Sequence, residues 1–261
     1  MIHQRHNFER PLCFWQCNFL FVDNDHLVEE SILNQTSVEQ DLEETTPRMV
    51  ERVAEYFDGA AEHYERNMQK AEYFSPAWIA KRAHDFEEIP ECRVLDLGCG
   101  TGINVKALFG QRGGIRAEGV DVSPKMLAQA QATGRYERLY AHDLNTVLPS
   151  VPSDAFDLVV AFGFLELLPD ISVCLSECCR VLKVNGTLWA SFRCFEAGDE
   201  GSPPRHMCVD GNDLRGYSAE EILQMMRHLE MSVTSLDAVV GYITRSGFAC
   251  PFYVLRARKS Q

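Results

Sequence analysis

Arg93-Val-Leu-Asp-Leu-Gly-Cys-Gly-Thr-Gly102 is the stretch whose reading decides the fold. Val94-Leu-Asp-Leu97 is a short apolar run of the kind that forms a buried strand. It breaks into Gly98-x-Gly100-x-Gly102, and Ile103-Asn-Val-Lys-Ala-Leu-Phe109 then fits the first turns of a helix. Strand, glycine turn and helix together point backbone N–H groups and a helix N-terminus at a polar ligand. Glycine suits such a turn because it lacks a Cβ and tolerates tight geometry and close approach. The spacing is Gly-x-Gly-x-Gly. The dinucleotide fingerprint Gly-x-Gly-x-x-Gly would need a glycine at position 103, which is Ile. A nicotinamide dehydrogenase is therefore disfavoured.

Downstream of this stretch, strand and helix signals alternate. Strands are expected at Ala117–Asp121, Leu139–His142, Phe156–Phe162 and Thr187–Phe192, with two closing strands at Ser232–Tyr242 and Phe252–Ala257. Helices are expected from Ser123-Pro124, over Ile171–Leu182, and from Ser218-Ala-Glu-Glu221, which has the form of a capping box. Gly186 is expected to supply the turn after the second of these. Residues 194–216 read as a long loop. This alternation implies a Rossmann-like, doubly wound α/β fold with a mostly parallel sheet covered on both faces.

Upstream, residues 47–90 read as a helical cap. One helix is expected over 48–72, with Val53, Phe57, Ala60, Ala61 and Tyr64 on one face. A second is expected to start at Ser75-Pro76, with Ser as N-cap and Pro at the first position. The cap either buries the flank of the sheet or forms a wall of the ligand pocket. Residues 1–46 differ from the rest. An aromatic segment around Phe14–Phe21 precedes a stretch between Val22 and Pro47 that holds eight acidic residues and no Lys or Arg. That stretch reads as a solvated linker. Docking on the domain, dimerisation and loose order all remain open for the aromatic segment. Residues 91–261 form the Rossmann-like domain.

Bulk composition excludes some functions. Twenty-five basic against 38 acidic residues give a net charge of −13, which opposes a broad nucleic-acid backbone contact. No apolar run approaches the ~18 residues of a membrane span. Nucleic acid and membrane are therefore not expected partners. The ten Cys form no CxxC pair; they read as small buried hydrophobes in a reducing compartment, the cytoplasm, and no metal site is expected. Oligomeric state is not legible.

In such a sheet, ligands bind at the carboxyl ends of the strands near the switch point. The first strand ends in the glycine turn. The second ends in Asp121, whose two oxygens can accept both hydroxyls of a ribose. The third ends in His142-Asp143-Leu144, where Asp143 can accept from an adenine amino group. The fourth ends in Phe162-Gly163-Phe164, which offers apolar walls.

These residues resemble the class I S-adenosylmethionine-dependent methyltransferases. Val94–Gly102 resembles their motif I, Gly119-Val-Asp-Val-Ser-Pro-Lys-Met-Leu127 the second motif, and Ala141-His-Asp-Leu144 the adenine motif. Phe156–Val160 and Leu182–Leu188 resemble the fourth and fifth strand signatures. The Ser123–Leu139 region, with its Ala-Gln-Ala-Gln run, resembles the branch that includes the Williams–Beuren-region methyltransferase-like proteins. The resemblance covers about residues 50–261 and implies a seven-stranded sheet with an antiparallel last strand. It implies S-adenosyl-L-methionine as cofactor. Gly98 and Gly100 would approach its methionyl part and Asp96 its amino group. Asp121 would hold the ribose, Met126 would pack on the adenine, and Asp143 and Leu144 would frame the adenine edge. Tyr64, Thr101, Val122 and Phe162 complete the implied cofactor-binding set. Phe57-Asp58 and Tyr64-Glu65 resemble the helix that closes over the cofactor in small-molecule members.

Two departures narrow the chemistry. Ala161-Phe-Gly-Phe164 is not the Asn/Asp-Pro-Pro-Tyr of amide- and adenine-directed members. Leu167 stands where the ubiquinone O-methyltransferases carry His. Methyl transfer needs a nucleophile held in line with the methyl group and water excluded. It needs a base only if the nucleophile must lose a proton. Glu166, His206, His142 and Tyr217 are candidates; Glu166 and His206 are singled out as catalytic. The expected acceptor is a small, largely apolar molecule. A protein side chain as acceptor, and a non-catalytic cofactor-binding module, are the alternatives.

Overall fold

The computed structural model describes residues 46–86, 88–110, 113–196, 205–209 and 212–260. The aromatic segment and nearly all of the acidic linker, and part of the expected loop at 197–204, lie outside them.

Among the described residues nine strands form: β1 (Cys92–Leu97), β2 (Ile115–Asp121), β3 (Tyr136–Ala141), β4 (Phe156–Ala161), β5 (Leu182–Arg193), β6 (His206–Val209), β7 (Asn212–Arg215), β8 (Met231–Ile243) and β9 (Ala249–Lys259). Seven make one sheet in the order β3-β2-β1-β4-β5-β9-β8. The first five run parallel, and β9 is antiparallel to both β5 and β8. The chain leaves β1 toward β2 on one side and returns to β4 on the other, so the switch point lies between the carboxyl ends of β1 and β4. The seven-stranded sheet with its antiparallel final strand is as expected.

Alternation along the central strands explains why they read as continuous apolar runs. In β1, Leu95 and Leu97 enter one core cluster and Val94 the other. In β4, Val159 and Ala161 face the first cluster, Leu158 and Val160 the second. Both faces are buried, so both phases of the period-two pattern must be apolar.

The cap is built from α1 (Thr46–Ala60), α2 (Tyr64–Lys70) and α3 (Ser75–Arg82). The single helix expected over 48–72 is broken between Ala60 and Tyr64, where His63 N–H donates to the Ala60 carbonyl at 3.0 Å. Ser75 is not the N-cap of α3; Phe74 is, with no side-chain capping bond. The Ser75 hydroxyl instead donates to Asn104 Oδ1 at 2.6 Å, which ties α3 to the helix after the glycine turn, α4 (Ile103–Phe109). Trp78 of α3 packs edge-on against Trp189 of β5 at 5.1 Å and Phe162 at 5.5 Å. α3 thus buries the sheet's flank.

The remaining helices are α5 (Pro124–Ala132), α6 (Ser172–Val181) and α7 (Ala219–His228). Ser123 caps α5 through Met126 N–H. The Ser218–Glu221 capping box of α7 is complete in both directions. Cys174 and Cys178 of α6 are fully buried packing residues. Two expectations are corrected. After α6 the left-handed residue is Asn185 (φ 65°), not Gly186. Gly186 is required for space, since a Cβ there would stand 2.8 Å from the Lys183 carbonyl oxygen. The expected loop at 194–216 contains the antiparallel hairpin β6–β7.

Candidate functional site

A cleft of about 760 Å³ opens at the carboxyl ends of β1, β2 and β4. Its floor is the glycine turn. Gly98 (φ 60°) and Gly100 (φ 52°) both adopt backbone that L side chains rarely take. A Cβ at Gly98 would lie 2.6 Å from the Phe164 ring, so the wall of the cleft closes directly onto the turn. Of the residues singled out in the sequence, Tyr64, Gly98, Gly100, Asp121, Val122, Met126, Asp143, Leu144 and Phe162 all line this cleft.

Asp121 holds the turn and the next helix together. Its Oδ2 accepts from Gly100 N–H at 2.8 Å and its Oδ1 from Ser123 N–H at 2.9 Å. The second lone pair on each oxygen still allows a diol to be accepted. Burial raises the Asp121 carboxyl above its ordinary range, against the pull of these backbone N–H groups.

Asp96 and Thr101 do not line the cleft; they are buried behind the turn. Asp96 Oδ2 accepts from the Tyr136 hydroxyl at 2.7 Å, while its Oδ1 and the Thr101 hydroxyl are buried without a hydrogen-bond partner among the described residues. Burial pushes the Asp96 carboxyl up to about 7, against the Tyr136 bond. Asn145 Oδ1 is a third buried acceptor without a partner. Asn145 lines the cleft beside Asp143, which accepts from its Nδ2 at 2.7 Å.

The roof comes from the cap. Met49, Val50, Val53 and Phe57 of α1 face the cleft, joined by Tyr64 of α2. Asp58 tethers α1 to α5 by accepting from the Ser123 hydroxyl at 2.5 Å and Lys125 N–H at 3.0 Å. The Ser123 bond lowers the Asp58 pKa. Glu65 pairs with Lys106 of α4. The two halves of the cap therefore do both expected jobs: α3 covers the sheet, and α1 with α2 roofs the cleft. Met49 and Val50 and the apolar run Leu167-Leu-Pro169 were not singled out as lining residues from the sequence, although the four-residue spacing of Met49, Val53 and Phe57 carries the signal for the first.

Of the candidate bases, Glu166 lies in the 3-10 turn after β4, 8% exposed, with Oε2 buried and unpartnered among the described residues. Burial pushes its carboxyl up to about 7, with Arg193 of β5 pulling the other way. Its charge is felt by Tyr64 in the cleft, whose phenol is pushed up by burial first and then by Asp121 and Glu166. His206 is a correction. It sits on the exposed outer face of the hairpin, 3.2 Å from Asp213, with both side chains 57% exposed, and it does not line the cleft. β6–β7 alternation sends Met207 and Leu214 inward and His206 and Asp213 outward. His142 is engaged locally by Val147 O and Thr146 Oγ1.

Residues 95–190 match the family model described as a methyltransferase domain. Among curated relatives, the chain is 32% identical over 117 residues to a ubiquinone biosynthesis O-methyltransferase of Bradyrhizobium diazoefficiens, covering 41% of this chain and 46% of that one. It is 47% identical over 74 residues to human methyltransferase-like protein 27, covering 28% and 29% respectively. The chain thus spans less than half the length of these relatives. Among solved structures, the 1,6-didemethyltoxoflavin-N1-methyltransferase of Burkholderia thailandensis shares the fold with a TM-score of 0.61 at 18% identity, over 83% of this chain and 91% of that one. The sheet order, the glycine turn with its downstream acid and the family match agree: residues 95–190 match a methyltransferase domain, on the fold that S-adenosylmethionine-dependent methyltransferases share.

Proposed function

We propose that the protein transfers a methyl group from S-adenosylmethionine to a small-molecule acceptor. The observation that carries this reading is the set of unmet polar groups around the glycine turn. At the cleft, Asn145 Oδ1 is buried without a partner among the described residues and Asp121 presents two oxygens, while the Thr101 hydroxyl is likewise without one behind the turn. A ligand with a ribose diol and an amino-purine matches these groups in number and sign. Asp96, buried behind the turn, backs the segment that receives the methionyl part. Asp121 takes the ribose. Asp143, Leu144 and Asn145 frame the adenine, and Val122 and Met126 pack against it. Gly98, Gly100 and Thr101 supply the turn.

The cofactor brings a methyl group already made electrophilic by its sulfonium. The chain's own contribution is to hold the acceptor beside Phe162 and Phe164, to exclude water beneath α1 and α2, and to take a proton where the acceptor must lose one. Glu166 is the residue for that last role; His206 is not, given its place on the outer face of the hairpin. The relatives named for ubiquinone biosynthesis and for didemethyltoxoflavin act, by their names, on small molecules, which supports the same acceptor class here. The net charge of −13 and the apolar walls disfavour a nucleic-acid acceptor. Among the described residues no helix is long and apolar enough to cross a membrane.

The test is incubation with methyl-labelled cofactor and size-fractionated cell extract. Label in the small-molecule fraction supports the reading. Label confined to protein or RNA contradicts it.

A further inference from the structure

Met49, Val50, Val53 and Phe57 of α1 all line the cleft from its roof. Met49, Val50 and Val53 are half-buried, and none of the three enters a core cluster among the described residues. The first turns of α1 therefore overhang the cleft rather than pack on the sheet. The helix is anchored at its other end. There Phe57, Ala60 and Ala61 pack against Met126 of α5, the element on which α1 packs most extensively.

At that end a path of hydrogen bonds runs from the roof to the floor of the cleft. Asp58 Oδ1 accepts from the Ser123 hydroxyl at 2.5 Å and from Lys125 N–H at 3.0 Å. Ser123 is fully buried. Its own N–H donates to Asp121 Oδ1 at 2.9 Å, and its Oγ accepts from Met126 N–H at 3.1 Å. Asp121 Oδ2 completes the path by accepting from Gly100 N–H at 2.8 Å. Gly100, Asp121 and Met126 line the cleft. One serine thus joins the carboxylate assigned to the ribose to the carboxylate that holds the roof, and a satisfied buried network of this kind fixes its members together. The cap's other tie, Glu65 to Lys106, lies between side chains 44% and 41% exposed, where an ion pair contributes little.

Resting on the methyl-transfer reading, we propose that Asp58 is a positioning residue that couples the roof to the cofactor. It holds α1 over the bound cofactor and so governs how fast S-adenosylhomocysteine, the product left after methyl transfer, departs. A ligand that fixes Asp121 through its ribose also fixes Ser123 and, through Ser123, Asp58 and α1. Asp58 itself does not line the cleft, so its removal takes away no group that touches the ligand. The effect falls on departure, because a roof that opens more readily releases what lies beneath it.

The test is surface plasmon resonance of S-adenosylhomocysteine on the full-length protein, with amide hydrogen exchange on the same samples. In the wild type, S-adenosylhomocysteine is expected to slow exchange over α1 as well as over α5. Asp58→Ala is expected to raise the dissociation rate about tenfold and to leave the association rate within about twofold. It is also expected to remove the added protection of α1 while that of α5 persists. Asp58→Asn keeps an oxygen that can accept both bonds and is expected to stay within about threefold of wild type. Glu65→Ala, which cuts the other tie, is expected to stay within about twofold. An unchanged dissociation rate in Asp58→Ala overturns the inference, as does a rate in Asp58→Asn or Glu65→Ala as fast as in Asp58→Ala. So does the absence of added protection over α1 in the wild type, a result that depends on no variant folding. Failure of S-adenosylhomocysteine to bind the wild type would overturn the methyl-transfer reading and this inference with it.

Discussion

Asp121 is the residue on which the proposed cofactor site turns. One carboxylate receives the N–H groups of Gly100 and Ser123 and keeps capacity for a diol. Asp121→Ala is expected to weaken S-adenosylmethionine binding by roughly 1.5–3 kcal/mol, the range for lost charge-assisted hydrogen bonds. Unchanged affinity in a folded variant, measured by titration calorimetry, would remove Asp121 from the site. Glu166 yields a pH prediction. Its pKa in the folded protein is raised to about 7 by burial, above the ordinary glutamate value near ~4.3. The folded state therefore holds this proton more tightly than the unfolded chain, and stability from this group is full in acid and lost as pH rises through about 7. Glu166→Gln removes the charge without removing volume. It is expected to stabilise the ligand-free protein at pH 8 by on the order of 1–3 kcal/mol, with the difference vanishing toward pH 4. Denaturant unfolding at the two pH values checks this; a variant equally or less stable than wild type at pH 8 would contradict it.

At the scale of elements, the cap shows how one stretch serves two ends. α3 packs Trp78 on Trp189 and Phe162, while α1 turns Val53 and Phe57 to the cleft and is held by Asp58. α7 depends instead on its own terminus, where Ser218 and Glu221 satisfy each other's N–H groups. Ser218→Ala is expected to destabilise the protein by about 1 kcal/mol and to leave S-adenosylmethionine affinity unchanged. Thermal unfolding and calorimetry together would expose a larger role if binding fell as well. That capping box was legible in the sequence, as was the β4 strand, because both write their physics into neighbouring residues. The break at Ala61–His63 was not, because the apolar face continues across it at helical spacing. Nor was the role of Asn185, which takes the left-handed turn beside a glycine that is needed only for room. The hairpin β6–β7 was hidden by its Gly- and Pro-containing surroundings, and with it the outward turn of His206.

Across the whole molecule, the cleft gathers residues from α1, α2 and the ends of β1, β2 and β4, so it exists only when sheet and cap are both formed. Nine of the residues singled out from strand-end positions and the family resemblance meet there, since strand ends in a parallel sheet converge by topology. Asp96 and Thr101 lie buried behind the turn and do not line the cleft. The α1 and post-β4 lining residues were less legible, since an apolar helix face reads the same whether it covers a sheet or a ligand. Among the described residues the lining of the cleft begins at Met49. Because much of residues 1–44 is acidic and lacks apolar periodicity, a chain beginning at Thr45 is expected to bind S-adenosylmethionine with wild-type affinity. A folded but non-binding truncation would place the aromatic segment Phe14–Phe21 in the pocket.

The central claim is that the cleft at the switch point is built for S-adenosylmethionine. Thermal unfolding of the full-length protein with S-adenosylmethionine and, in parallel, with NAD tests it most directly, because a ligand that binds only the native state raises Tm. The account predicts a saturable rise in Tm with S-adenosylmethionine, none with NAD, and loss of the rise in Asp121→Ala. A rise with NAD, or none with S-adenosylmethionine, would contradict it.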